Sequence, residues 1–392
     1  MSRRTFRIAV RRFPAFESAI RKQWEAFENG ARTGLELEAV PLDLHPLHDA
    51  LFDSRGAIEG DWDVGFINTD WMAEAAGANA FLNLAPYLAA DPPEDYPRGW
   101  TDSLLRFQQI EGRVLGLPYH DGPECLIYRA DLFRDLAPPQ TWEHFHQLAR
   151  HFHRPHEGLY GSVFAVYPDG HNAVYDFCLQ LWSRGGSLFD AAGRLRLDTS
   201  PAAEGLGFYR TMLRDGEAVH PRCAEFDSVQ AGVAFAAGEV ALTVNWFGFA
   251  AMAQTSAESK VHDKVAVAPV PGGVSLNVYW ILAIGAGSPH SEIAWCFLRH
   301  CASPAMDKLL TLEGAIGCRK STWIDEDVNR SIPFYRAMEE LHQDARELPR
   351  LANWARIAGV IDETVQQALH TNRPEDELLA EAQTRISPMV TA

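Results

Sequence analysis

The hydrophobic pattern of this chain changes period repeatedly, and each change predicts an element. Phe6 to Val10, FRIAV, is of strand length and apolar except for Arg7. Behind it Phe16, Ile20, Trp24 and Phe27 recur three or four residues apart, so 16–28 reads as an amphipathic helix with one buried stripe. Residues 35–42 alternate apolar and polar side chains, the mark of a half-buried strand. Val64 to Ile67 is a further buried strand, running into polar Asn68, Thr69 and Asp70 and a helix opened by an exposed-looking Trp71. A tight turn and a Leu-Pro-Tyr corner precede a strand at Cys125 to Tyr128. Pro138-Pro139 and the cap Thr141 announce a helix whose buried stripe is Trp142, Phe145, Leu148, Ala149 and Phe152.

The second half continues in the same way. Gly161 to Tyr167 reads as a strand, Ala173 to Trp182 as a helix stopped by Gly185-Gly186, and 187–198 as a hairpin-like piece. A helix is expected from Pro201 to Arg214 and a strand from Val240 to Val244, leading to Asn245-Trp246. Strands follow within 264–273 and from Trp280, and helices fill most of the rest. Alternating strand and helix predicts α/β lobes with largely parallel sheets.

A chain of 392 residues is too long for one ordinary core, so two lobes of roughly 150–200 residues are expected. With 35 Lys and Arg against 52 Asp and Glu, the net charge of −17 disfavours nucleic acid and anionic membrane surfaces. No apolar run reaches the length of a transmembrane helix. The basic start, MSRRTFRIAVRRF, has only Ile8-Ala9-Val10 as its apolar part; it reads better as a first strand than as a signal peptide. Cys125, Cys178, Cys223, Cys296, Cys301 and Cys318 show no metal spacing and are expected to be buried thiols. His144, His146, His151, His153 and His156 suggest a metal cluster at first. Pairs seven apart on a helix lie about 10.5 Å apart along its axis, too far for one ion with bonds of ~2 Å. They form a solvated flank, and no metal is expected.

Two segments carry a resemblance: 62–88 (WDVGFINTDWMAEAAGANAFLNLAPYL) and 112–133 (GRVLGLPYHDGPECLIYRADLF). They are followed in order by GGSLFDAAGRLRLDTSPAAEGLGFY, AAGEVALTVNW, VAPVPGG, AIGAGSPHSEIAWCFLRHCASP and GCRKS. This succession resembles the extracellular solute-binding proteins of ABC importers, in the carbohydrate-binding group that includes the maltose-binding protein. The resemblance implies an α/β, two-lobe periplasmic-binding-protein fold of type II, with three hinge crossings and a ligand cleft. The N-terminal lobe would comprise 1–121 and 268–314, and the C-terminal lobe 122–267 and 315–392. Crossings would lie near His120 to Glu124, Ala268 to Gly273 and Ala315 to Arg319, where Gly, Pro and loop residues suit hinge torsions. It further implies a monomeric receptor, periplasmic or extracellular, that captures a mono- or oligosaccharide or sugar derivative and delivers it to the transmembrane subunits of a permease. No cofactor and no catalysis are expected.

Ligands of open α/β sheets gather at the carboxyl ends of strands, so the residues there are the candidates. Asp70 is a hydroxyl acceptor or a helix cap, and Trp71 a face for a sugar ring or a cover for the helix. Arg11 and Arg12 after the first strand are either ligand contacts, which would suit a carboxylate, or a solvated pair. Tyr119 and His120 line the cleft or bond within the hinge. Asn172, Tyr175 and Asp176, with His171, match the family's second-lobe contact segment. Trp246 is a stacking plate or lobe packing; Trp280 faces ligand or packs with Trp295. Trp354 falls where the resemblance suggests a stacking aromatic, with Arg356 close by, and Arg319 is a further polar candidate. Two alternatives stand beside the sugar: an acidic or phosphodiester solute, on Arg11, Arg12 and Arg319, and an enzyme on the same scaffold. For the latter, Asp70 and Asp176 would be a glycosidase pair, but no spacing fixes them and no G-x-S-x-G, G-x-G-x-x-G, P-loop or H-E-x-x-H occurs.

Overall fold

The computed structural model describes residues 4–390. The chain forms two compact units: unit 1 runs to Gly122 and adds Asn277–His342 and Arg350–Ala352, while unit 2 holds Pro123–Leu276, Gln343–Pro349 and the chain from Asn353 onwards.

Unit 1 is built on a five-stranded sheet ordered Glu36–Leu42, Thr5–Arg11, Val64–Asn68, Trp280–Ile284, Leu117–His120. The first three strands are parallel, and Trp280–Ile284 is antiparallel to both its neighbours. Parallel strands are covered on both faces, which is why Ile8-Ala9-Val10 and Val64 to Ile67 are apolar without a break and fully buried. The helix Pro14–Ala31 lays its predicted stripe on this sheet, with Pro14 pre-set for its first turn. Trp24 stacks on Phe6 at 4.6 Å and meets Phe297 edge-on at 5.2 Å. Full burial of each such ring contributes about 1.5–3 kcal/mol.

Unit 2 has a four-stranded sheet ordered Val265–Ala268, Glu124–Arg129, Val240–Trp246, Tyr160–Ser162. Glu124–Arg129 is antiparallel to both neighbours, and only Tyr160–Ser162 runs parallel to its partner. The sheets are therefore mixed, not largely parallel. In each unit the strand by which the chain enters lies beside the strand by which it leaves, and such a pair must run in opposite directions. The strand expected over 161–167 stops at Ser162, because the amides of Val166 and Tyr167 turn to the carbonyls of Cys223 and Phe226. Helix Trp142–Phe152 has the expected cap, with Thr141 Oγ accepting from the His144 amide, and its apolar stripe is buried. Helix Asn172–Ser183 ends at Gly185, whose φ of +74° disfavours any side chain.

The chain changes unit after Gly122, Leu276 and His342, with a short return at Arg350–Ala352. Two segments lie on the other side from that expected. Residues 268–276 stay in unit 2, because Gly272 N–H bonds Gln140, Ser275 Oγ bonds the Glu124 carbonyl at 2.6 Å, and Ser275–Leu276 pairs with Ala345–Arg346. Residues 315–342 belong to unit 1, where the buried Asp307 carboxylate accepts the amides of Cys318 and Arg319 and the hydroxyl of Thr322. At the unit 1 ends of the three passages stand Asp121, Asn277 and His342. Asp121 Oδ1 accepts from Asn277 Nδ2 at 3.0 Å and its Oδ2 lies 2.6 Å from His342 Nε2. His342 stacks on Trp323, and its Nδ1 meets Ser103 Oγ at 2.9 Å.

Candidate functional site

In unit 1 the strand register brings several candidates to one edge of the sheet. Trp280 lies opposite Asn68 on one side and His120 on the other, and Arg11 ends the parallel strand next along. The Asn68 side chain accepts from the Asp70 amide, so Asn68 and not Asp70 caps the short turn Thr69–Trp71. Asp70 and Trp280 are half-buried at this edge. Arg11 and Arg12 both face Asp43, at 3.5 and 3.3 Å, and Arg12 also donates to the Pro41 carbonyl. His120 Nδ1 accepts the Ile316 amide at 2.9 Å, which places the proton of the neutral ring on Nε2. Burial against the rings of Phe13 and Phe16 lowers its pKa to about 4, so the ring is a neutral donor near pH 7.

Three unit 1 candidates face the interior. Trp71 is buried, not exposed, within edge-on contacts to His48, Phe52 and Trp280. Tyr119 lies in the core between Phe16 and Phe66, its hydroxyl donating to Gln23 Oε1 at 2.8 Å, and burial pushes its pKa up. The register slips here, Trp280 pairing with His120 and Ile281 with Pro118, so Tyr119 is the extra residue between them and packs into the core. Arg319 is 1% exposed, its guanidinium 4.4 Å from the Trp100 ring and bonded to the carbonyls of Glu94 and Ala302. It is a structural clamp.

In unit 2 the candidates meet at the start of helix Asn172–Ser183 and the end of strand Val240–Trp246. Asn172 is held by Asp169, which accepts both its amide and its Nδ2. Tyr175 is buried and meets the half-exposed Trp246 edge-on at 5.7 Å. Asp176 is buried and accepts the hydroxyl of Tyr209 at 2.6 Å. Burial raises its pKa to about 7 despite that bond. Glu124, directly opposite Trp246 in the ladder, is buried too and pushed well above the usual carboxyl range by desolvation and by the Asp176 charge. Sequence reasoning passed over Glu124 as part of a crossing; the signal was an acid opening an otherwise apolar strand. Trp354 is buried at the first turn of helix Trp354–His370, and Arg356 beside it is exposed.

Two surface hollows lie elsewhere in unit 1. One of about 640 Å³ runs between the ends of helices Pro14–Ala31 and Ser291–Cys301, and one of about 450 Å³ lies beside Arg106 and Arg350. The histidine flank behaves as expected of scattered surface groups: His146 bonds Asp215, and His153 accepts the Gly161 amide. Among the described residues His48, Asp49 and Asp53 come close enough to share an ion, but His48 Nε2 is engaged by Glu74 at 2.9 Å. All six cysteines are free thiols, buried except Cys296. Among the described residues no helix is long and apolar enough to cross a membrane.

Residues 15–308 match the family model of the bacterial extracellular solute-binding protein. The chain belongs to that family. Members bind small molecules and work with ABC transporter permeases. A protein of Sinorhizobium fredii described as a "probable amino-acid ABC transporter periplasmic-binding protein" is 21% identical over 368 residues, 90% of this chain and 82% of that one. Among solved structures, the maltose-bound MalE3 of T. maritima superposes with a TM-score of 0.87 at 22% identity, covering 98% of this chain and 99% of that one. A solute-binding protein of Agrobacterium radiobacter K84 in complex with ribitol gives 0.87 at 23% identity, covering 98% of each. The two-lobe fold of this solute-binding protein is thus that of the maltose-binding-protein-like receptors.

Proposed function

We propose that this solute-binding protein captures a carbohydrate or polyol and presents it to the permease of an ABC importer. The observation that carries the reading is the pairing, in each unit, of a half-exposed indole with polar side chains at a strand end. Trp280 stands with Asn68, Asp70 and His120, and Trp246 with Tyr175 and Asn172. An indole face covers the C–H side of a sugar ring, while amides, carboxylates and a neutral imidazole donor match its hydroxyls. The maltose and ribitol held by the two similar structures support the same ligand class. Trp354, buried in its helix, stays outside this reading. Arg11 and Arg12 already share Asp43, which leaves less charge for an acidic solute.

On this reading the protein acts as a monomer outside the cytoplasmic membrane, without cofactor or catalysis. Solute would shift the protein toward whichever conformation holds it more tightly, by differential affinity. A melting-shift screen of sugars, polyols, uronates and phosphodiesters tests it. Neutral sugars or polyols should raise the melting temperature, since a ligand of the native state stabilises it by RT ln(1 + [L]/Kd). Trp246→Ala and Trp280→Ala should each weaken binding about ten-fold or more. A response to uronates or phosphodiesters alone, or full affinity in both variants, would refute it.

A further inference from the structure

Glu124 has no partner for its charge. The residue is 5% exposed, and its Oε2 is buried and makes no hydrogen bond. The titratable groups whose fields couple to it are Asp176, Tyr209, Cys125 and Cys178, and every one is an acid. Among the described residues no Lys, Arg or His forms an ion pair with Glu124 or Asp176. Buried polar atoms are almost always bonded, so an open carboxyl oxygen calls for an explanation. As an anion it lacks a donor; as a neutral acid it still leaves one oxygen unmet.

The surroundings say what would fill the gap. Residues directly opposed in an antiparallel ladder project from the same face, so Glu124 and Trp246 leave the sheet together. Trp246 is half-exposed and Tyr175 stands edge-on to it. A buried carboxyl with an open oxygen, on the same face as an aromatic ring, is what a cationic nitrogen seeks, with charge-assisted bonds on one side and a ring quadrupole on the other. We propose that Glu124 binds a protonated amine carried by the solute, so that the ligand is an amino sugar or amino polyol. The assignment rests on the proposed function and narrows its ligand class. Burial and mutual repulsion hold at least one proton on the acid pair when the site is vacant near neutral pH. Binding an ammonium group releases that proton to solvent, so affinity rises with pH. A neutral solute accepting a hydrogen bond from the protonated acid would show the opposite trend.

Calorimetry on the full chain with ligand pairs that differ in one group tests this: 1-amino-1-deoxysorbitol against sorbitol, 1-amino-1-deoxymannitol against mannitol, and glucosamine against glucose. Titrations between about pH 5.5 and 7.5, in two buffers of different ionisation heat, count the protons released. The amine member of a pair should bind about ten-fold tighter or better, with affinity rising with pH and proton release on binding. Glu124→Gln should abolish that preference, bringing the amine member down to the affinity of the neutral one; Asp176→Asn gives the same comparison should the first variant fold poorly. Equal or better binding of the neutral members, unchanged by Glu124→Gln, would overturn the amine assignment and leave the solute-binding reading standing. Affinity that climbs as pH falls would overturn it in favour of a protonated-acid donor. No heat from any pair, when other solutes do bind in the melting screen, would overturn it as well.

Discussion

Replacing Arg319 with Met should cost unit 1 about 2–4 kcal/mol while leaving solute affinity within about two-fold. The guanidinium donates to two carbonyls, of Glu94 at 3.0 Å and of Ala302 at 2.8 Å, and lies over Trp100. A charged hydrogen bond is worth about 1.5–3 kcal/mol, and a desolvated cation–π contact about 2 kcal/mol. Against this loss stands the return of the burial cost of the charge itself, several kcal/mol in principle, which brings the net down. Met fills much of the volume, so a cavity contributes little. Urea unfolding followed by circular dichroism reads the loss as a midpoint lower by about 1 M, for a slope of 2–3 kcal/mol/M. A stability loss under about 1 kcal/mol would refute the clamp. A variant of unchanged stability that binds solute ten-fold more weakly would return Arg319 to the ligand.

Gly161→Ala should destabilise unit 2 by about 3 kcal/mol or more, because the new Cβ would lie 1.8 Å from the Ala149 carbonyl oxygen, an overlap only backbone movement relieves; a melting curve like that of the parent would refute this. Asp176→Asn should flatten the fall of stability with pH. The folded pKa of about 7 lies above the usual carboxylate value, so between about pH 4 and 7 the native state holds the proton that the unfolded chain has lost, and stability is lost as pH rises through that window; thermal melts of both proteins across this range check it. His120→Asn should have the opposite signature, since a histidine pKa lowered to about 4 costs stability as pH falls from about 6.5 to 4; its melting temperature should fall less than the parent's on acidification. Asp121→Ala should cost about 2–4 kcal/mol by stranding Asn277 and His342, visible in the urea midpoint.

Much of the fold was legible because period and burial coincide. The stripe of helix Pro14–Ala31, the cap at Thr141 and the apolar run at Val64 each depend on local sequence alone. Strand direction was not legible, since a strand that enters a unit beside the departing one carries no different residue pattern. Domain boundaries shifted for a similar reason: Asp307 collects Cys318 and Arg319 through amide bonds to the chain, and backbone donors leave no mark in the sequence. Site residues divided by register. Trp280 and His120 fall at the edge together because the ladder pairs them, whereas Tyr119, which the register slip leaves unpaired, packs in the core, and no sequence pattern marks such a slip. Trp71 read as exposed because it follows three polar residues, yet the turn Thr69–Trp71 rotates it onto His48 and Phe52.

The Asp121 carboxylate holds Asn277 and His342 from two distant stretches of sequence, so the stumps on either side of the 123–276 excursion are moored to one post. A reporter spliced into the exposed turn around Gly193, or new chain ends opened there, would therefore leave both stumps anchored in unit 1. The same mooring confines backbone freedom to the far side of the post, beginning at Gly122, whose φ of +143° few side chains tolerate.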